Sequence, residues 1–270
     1  MKIQLKKTVS QATTLVEFIA SNSDISKSGI KKALNFGGGW LKPRGKGTLQ
    51  RCRRATKELQ PGDEVEFYYD DRLYKDTPSA PIPIQVTRHW GVWYKPANVV
   101  SQGTPYGDLG SMEYQVKQLS GLSQVFLIHR LDREAAGLMI FAYHKEAAAK
   151  LSELWRETRV EKIYQAEVHG QPDDNGRIDI PLDDKAALTT FSVAQRLSDT
   201  ALVRIHLQTG RFHQIRRHFS LLGHPLVGDP QYSSVSDGRP MQLVAAELRF
   251  TCPFNKKEHH AVLPPELRLF

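Results

Sequence analysis

Between two apolar runs, 125–128 and 138–141, the chain places a single carboxylate, Asp132, with guanidinium groups at Arg130 and Arg133 and an imidazole at His129. Neighbouring positive charge favours the ionised form of an acid. Such an acid suits a nucleophile or an electrostatic anchor better than a proton donor. The plain alternative is a solvated turn, because exposed ion pairs are common and contribute little. A second polar concentration follows the run 201–207: Thr209-Gly210-Arg211-Phe212-His213-Gln214-Ile215-Arg216-Arg217-His218-Phe219. It should turn at Gly210 and enter a helix whose start carries many donors.

The elements that must position these groups follow from periodicity. Residues 125–128 and 138–141 are expected as buried strands, with Gly137 allowing a bend or a close backbone approach. A helix is expected over 145–157, where Ala148, Leu151, Leu154 and Trp155 recur near helical period. Strands are expected over 90–94, 160–168, 176–181, 191–197 and 201–207, a short helix over 112–119, and an element of mixed character over 242–250. Toward the N-terminus, 13–20 and 25–34 read as amphipathic helices. Ser21 to Asp24 supply capping residues, and Gly37-Gly38-Gly39 ends the second helix. Its Lys27, Lys31 and Lys32 lie opposite an apolar face. Pro61-Gly62-Asp63 marks a turn before a strand at 65–69. Proline-rich residues 76–87 read as a stiff linker, giving domains 1–75 and 88–270.

Composition limits the partners. At 270 residues, 40% hydrophobic and 24% charged, the chain is of ordinary soluble type, long enough for two domains. No apolar run has membrane-spanning length, and the basic, polar start lacks a signal-peptide core. Cys52 and Cys252 are too few for a disulfide framework or a thiolate zinc site, so a reducing cytoplasm fits. The formal charge is +8 and the pI about 9.4. Residues 1–75 carry 15 Lys and Arg against 8 Asp and Glu, a net +7, which leaves +1 for the rest. A basic N-terminal part on a nearly neutral body suggests a handle for a polyanion such as nucleic acid. No phosphate-binding P-loop, Gly-x-Gly-x-x-Gly, His-Glu-x-x-His or nucleophile elbow is present. His206, His213, His218 and His224 lack metal-ligand spacing and are expected as satisfied histidines, with no metal.

Three segments in order carry a resemblance. His129-Arg130-Leu131-Asp132-Arg133 with Gly137-Leu138, then Lys162-Ile163-Tyr164-Gln165-Ala166 with Gly170, then 209–216 with Gly223-His224-Pro225 and Gly228-Asp229, resemble the signatures of the RluA family of RNA pseudouridine synthases. Lys95-Pro96 resembles that family's opening motif. Residues 12–70, with Leu59-Gln60-Pro61-Gly62-Asp63-Glu64-Val65, resemble the small S-four-type RNA-binding domain, a companion of this catalytic domain. The resemblance implies an α+β pseudouridine synthase fold with a largely antiparallel mixed sheet, behind a small N-terminal α/β RNA-binding domain. It implies isomerisation of uridines in structured RNA, ribosomal more than transfer RNA, without a cofactor; a monomer without an obligatory protein partner is expected. Asp132 is then the catalytic carboxylate, Tyr164 stacks on the base and handles a proton, and Arg216 pairs with Asp132 through a bidentate guanidinium that keeps it charged and aimed. Arg130 would occupy the space an extruded base leaves, while His129 shapes the loop. Arg133, Arg211 and Ile215, with Lys31 and Lys32 on the N-terminal helix, complete the candidate RNA-binding set. Arg211 and Arg217 read first as phosphate contacts or exposed helix cations. Where the family pattern carries Thr-Ser and Thr, this chain has Ala135-Ala136 and Phe212. Two other classes stay open at this point: a noncatalytic RNA-binding or ribosome-assembly factor, and a hydrolase that releases the base.

Overall fold

The computed structural model describes residues 1–74, 79–235 and 238–270, which divide into two compact units. The first comprises Met1–Ser79 with Gln102–Gln115, the second Ala80–Ser101 with Val116–Phe270. Residues 76–78 of the expected linker lie outside the described residues.

In the first unit, β1 (Lys2–Thr8), β2 (Thr13–Thr14), α1 (Leu15–Ala20), α2 (Lys27–Phe36), β3 (Gly39–Lys42), β4 (Gln50–Arg51), β5 (Glu58–Leu59) and β6 (Glu64–Asp70) follow one another. The antiparallel sheet has the order β1-β6-β3-β4, and β2 pairs with β5. The Ser26 hydroxyl caps α2 by accepting from the Gly29 N–H at 3.2 Å, and Gly37 ends it in the left-handed region at φ 99°. Ile30, Ala33 and Leu34 of α2 pack with Leu5, Leu15, Ile19 and Phe67, which leaves Lys31 and Lys32 exposed on the other side. β1 comes from residues read only as basic and polar. Its alternation buries Leu5 opposite Phe67.

Segment Gln102–Gln115 belongs to this unit although it follows the proline-rich stretch. Arg53 donates to Asn35 O and to Asp108, and Arg51 donates to Gly37 O and to Thr104 O. Two cations of the second basic cluster are thus engaged within the fold, while Arg54 and Lys57 are exposed.

In the second unit, β7 (Ile82–Val86), β8 (Trp90–Lys95), α3 (Met112–Ser120), β9 (Phe126–Leu127), β10 (Ala136–Ala142), α4 (Lys145–Arg156), β11 (Glu161–His169), β12 (Asn175–Ile178), β13 (Thr189–Arg196), β14 (Thr200–Leu207), α5 (Gln214–Leu221), β15 (Leu243–Thr251) and β16 (Glu258–Val262) build one ten-stranded sheet and its helices; α3 straddles the division between the units. The strand order is β12-β13-β14-β11-β15-β10-β8-β7, with β16 on β15 and β9 on β10. Every pairing is antiparallel except β10 with β15. This is the largely antiparallel mixed sheet that the resemblance implies. Residues 76–87 are not simply a linker. Ile82–Val86 pairs with β8, and as the edge strand it tolerates Pro83. β10 is buried along its whole length, and α4 covers it with Ala147, Leu151 and Leu154.

Gly137 fixes the entry to β10. It has φ 123°, and a Cβ there would lie 2.4 Å from the Ala245 backbone N and O. Only glycine permits that approach. Ala245 pairs with Gly137 on one side and with Tyr164 on the other, where β11 shifts register between Ile163 and Tyr164. Gly137, Ala245 and Tyr164 therefore form one row across three strands, next to the loop that carries Asp132. No described helix is long and apolar enough to cross a membrane.

Candidate active site

Asp132 lies in the loop 128–135 between β9 and β10, and that loop is tied down on three sides. The Ser101 hydroxyl donates to Leu131 O at 2.7 Å and accepts from the Leu131 N–H at 3.0 Å. Lys95, fully buried, donates from Nζ to Pro96 O (2.9 Å), Val99 O (2.7 Å) and Arg133 O (3.0 Å). Burial pushes its ammonium down to about 7, partly opposed by the Glu134 and Asp132 carboxylates. Three carbonyls match three protons, so this arrangement is complete only for the charged amine. His129 Nε2 accepts from the Ile140 N–H at 3.2 Å, and its ring stacks on Trp155 at 4.4 Å. Burial, with the Lys162 charge second, lowers His129 to about 3, so the imidazole is a neutral prop for the loop.

Arg216 reaches the acid from α5. Its side chain is 2% exposed, that of Asp132 24%. The guanidinium Nη1 is 3.4 Å from Asp132 Oδ2, 3.2 Å from His213 Nε2 and 3.8 Å from Glu134 Oε2. The expected bidentate clamp on Asp132 is corrected here. The fork goes to Asp229, with Nε to Oδ2 at 2.7 Å and Nη2 to Oδ1 at 2.8 Å. Asp229 has a wholly buried side chain and also accepts the N–H groups of Gln231 (2.9 Å) and Tyr232 (3.1 Å). A buried carboxylate needs its countercharge more than a partly solvated one. Burial opposes ionisation of Asp229, but the bonds from Arg216 and the two backbone N–H groups outweigh it and hold the carboxyl below its usual range. Asp132 thus receives one long contact from a cation locked by another acid.

Tyr164, on β11, is buried. Burial, then the Asp132 charge, pushes its phenol well above the ordinary value, so it keeps its proton. His213, the residue before α5, stands in the left-handed region at φ 51°. Its Nδ1 lies 3.1 Å from the Tyr232 hydroxyl, its Nε2 lies 3.7 Å from Asp132 Oδ1, and Phe212 stacks on its ring. Since Nε2 faces a guanidinium donor, the assigned tautomer carries its proton on Nδ1, which donates to Tyr232.

The structure brings Asp132 and Arg216 together, with Tyr164 within electrostatic range. Arg130 and Arg133 project as exposed side chains. Arg211 is half-buried and donates from Nε to Ala186 O at 3.0 Å. Ile215 lies on α5 and is buried. Arg217 pairs with Asp183 at 2.9 and 3.0 Å. Lys31 and Lys32 belong to the first unit. Ala135 and Ala136 are buried, so the missing hydroxyls fall in the core. Sequence reasoning passed over Asp229, His213, Tyr232, Lys95 and Ser101 as site residues. Asp229 and Lys95 stood inside quoted motifs, whereas nothing local marked Ser101 or Tyr232. A cavity of about 500 Å³ in this unit is lined by residues that include Lys162, His206 and Arg249 and not Asp132. Among the described residues no three His, Cys, Asp or Glu side chains gather as a metal-binding group.

Residues 89–221 match the family model described as RNA pseudouridylate synthase. An uncharacterized RNA pseudouridine synthase, YjbO, of Bacillus subtilis is 30% identical over 269 residues, covering 88% of this chain and 93% of that one. The dual-specificity RNA pseudouridine synthase RluA of Vibrio vulnificus is 35% identical over 154 residues, 48% of this chain and 62% of its own length. Among solved structures, human RNA pseudouridylate synthase domain containing 4 superposes with a TM-score of 0.59 at 25% identity, covering 69% of this chain and 90% of that one.

Proposed function

The chain belongs to the RluA family of RNA pseudouridine synthases, which are isomerases, and from that premise we propose that Asp132 is the carboxylate through which it isomerises uridine in structured RNA, ribosomal RNA in particular. The reaction breaks the bond from ribose C1′ to base N1, turns the base, and joins C1′ to C5; the C5 proton leaves and N1 gains one. Atoms and electrons balance within the nucleotide, so the proposed route calls on no cofactor. Its requirement is an anion within reach of an extruded nucleoside. The observation that carries this reading is the 3.4 Å contact between a quarter-exposed Asp132 and a nearly inaccessible Arg216, on a loop held by Lys95 and Ser101.

In this reading Arg216 holds the Asp132 carboxylate through a single 3.4 Å contact, because Asp229 takes the guanidinium fork. Tyr164 keeps a protonated phenol beside the base, where its ring can stack and its hydroxyl can donate a hydrogen bond to the turning base. Arg130 and Arg133, exposed around the acid, meet phosphates or fill the vacated stack. The first unit acts as an S-four-type RNA-binding domain through the Lys31 and Lys32 side of α2, holding RNA without reading much sequence. The protein acts as a cytoplasmic monomer. Pseudouridine mapping of total RNA from cells with and without the gene tests this. Loss of a ribosomal RNA site supports it; loss confined to transfer RNA overturns the RNA class; no lost site overturns the reading.

A further inference from the structure

We propose that Phe212 is a stacking platform for an RNA base adjacent to the uridine that enters the site. The inference rests on the reading of Asp132 above.

Phe212 is 63% exposed, more than any other large apolar side chain among the described residues. Single exposed apolar residues are common and mean nothing alone. This one is neither free to swing nor remote. Its ring stacks on the His213 imidazole with centroids 3.7 Å apart and planes 21° apart. That imidazole is fixed by the Tyr232 hydroxyl on one nitrogen and by Arg216 on the other. The backbone of His213 adopts φ 51°, a conformation that non-glycine residues seldom hold without a local reason. The same imidazole lies 3.7 Å from an Asp132 oxygen. An oriented aromatic surface therefore stands one ring away from the acid, covered on one face and open to solvent on the other.

A base is the fitting occupant. The substrate of the family is RNA, and a nucleotide drawn toward Asp132 leaves its neighbours unstacked on one side. Any base has a π-face, so an open phenyl ring can take such a neighbour with little sequence demand. Apolar contact alone would be met equally by an aliphatic side chain, and that difference gives the test.

Initial rates of pseudouridine formation are measured against RNA concentration, with total RNA from cells lacking the gene as substrate, for wild type, Phe212→Leu, Phe212→Trp and Asp132→Asn. Phe212→Leu should raise the half-saturating RNA concentration roughly 5- to 150-fold, the range for loss of one base–aromatic stack, with the saturating rate within about twofold. Phe212→Trp should restore half-saturation. Because the ring is mostly exposed, melting temperatures should not move. A Leu variant with wild-type half-saturation, a Trp variant as impaired as Leu, or a Leu effect confined to the saturating rate overturns the platform. If Asp132→Asn is inactive in that case, the reading of the acid stands and only the platform fails. An active Asp132→Asn removes the reading itself.

Discussion

Asp229→Asn is the substitution that most sharply separates the two acids facing Arg216. It keeps the shape of a side chain with no exposure and removes its charge. Arg216 then loses the countercharge of its two shortest bonds, 2.7 and 2.8 Å, and retains Asp132 at 3.4 Å and Glu134 at 3.8 Å. Breaking a buried pair by removing one partner costs about 3–5 kcal/mol. At about 2–4 °C per kcal/mol for a chain of this size, the midpoint of the second unit should fall by roughly 6–20 °C in differential scanning calorimetry. The freed guanidinium can turn toward Asp132 and shift its aim; a displacement near 1 Å is enough for about a 10²-fold loss of turnover. The double variant Arg216→Met with Asp229→Leu replaces the pair by apolar groups of similar volume, which is often neutral for stability. It should recover only part of the midpoint, because Leu leaves the Gln231 and Tyr232 N–H groups without the acceptor that Asp229 gave them, and it should remain inactive. An Asp229→Asn protein that melts with the wild type, or an active double variant, would refute the division of labour between Asp229 and Asp132.

Three further outcomes follow from the same geometry. Lys95→Met leaves the buried Val99 carbonyl and the partly buried Pro96 and Arg133 carbonyls without this donor, a loss of about 1–3 kcal/mol for the buried one alone. Melting should show it together with a large drop in turnover, and an unaffected loop activity would contradict the role of Lys95. His129 takes a proton near 6.5 when unfolded but only near 3 when folded. Between these values the unfolded chain binds more protons, so acidification should lower unfolding free energy by up to about 1.4 kcal/mol per pH unit. Urea denaturation from pH 6 to 4 should be less pH-dependent in His129→Gln; an identical slope would be the wrong result. Replacing Lys31 and Lys32 together by Gln should reduce the log–log salt slope of RNA binding by about 1 per lost phosphate contact, and an unchanged slope would remove α2 from the RNA-binding surface.

Much of the fold can be read locally because burial repeats at the period of the backbone. Ile30, Ala33 and Leu34 define α2 by spacing, and Leu151 and Leu154 define α4. β1 escaped because its lysines dominate the composition of 2–8, although Ile3 and Leu5 already alternate with them. β7 escaped because Pro83 suggests a linker, and only the pairing with β8 shows that an edge position absorbs the proline. Of the site, Asp132, Tyr164 and Arg216 stand in segments whose order is recognisable. Which acid receives the guanidinium fork is not a local property. Asp229 lies 13 residues beyond Arg216 and reaches it only after α5 and the following loop have folded back. Ser101 is 30 residues from the Leu131 backbone that it fixes. His213 read as one of several histidines because its significance lies in a backbone angle and in contacts with Asp132 and Tyr232, which come from two other segments.

The central claim concerns one anion, and Asp132→Asn addresses it with least disturbance. The side chain is partly exposed and gives Arg216 only its longer contact, so the variant should fold as the wild type does. With total RNA from cells lacking the gene, at saturating enzyme, pseudouridine formation should fall below detection while RNA is bound at unchanged affinity. Formation of pseudouridine by Asp132→Asn at the wild-type rate would contradict the account.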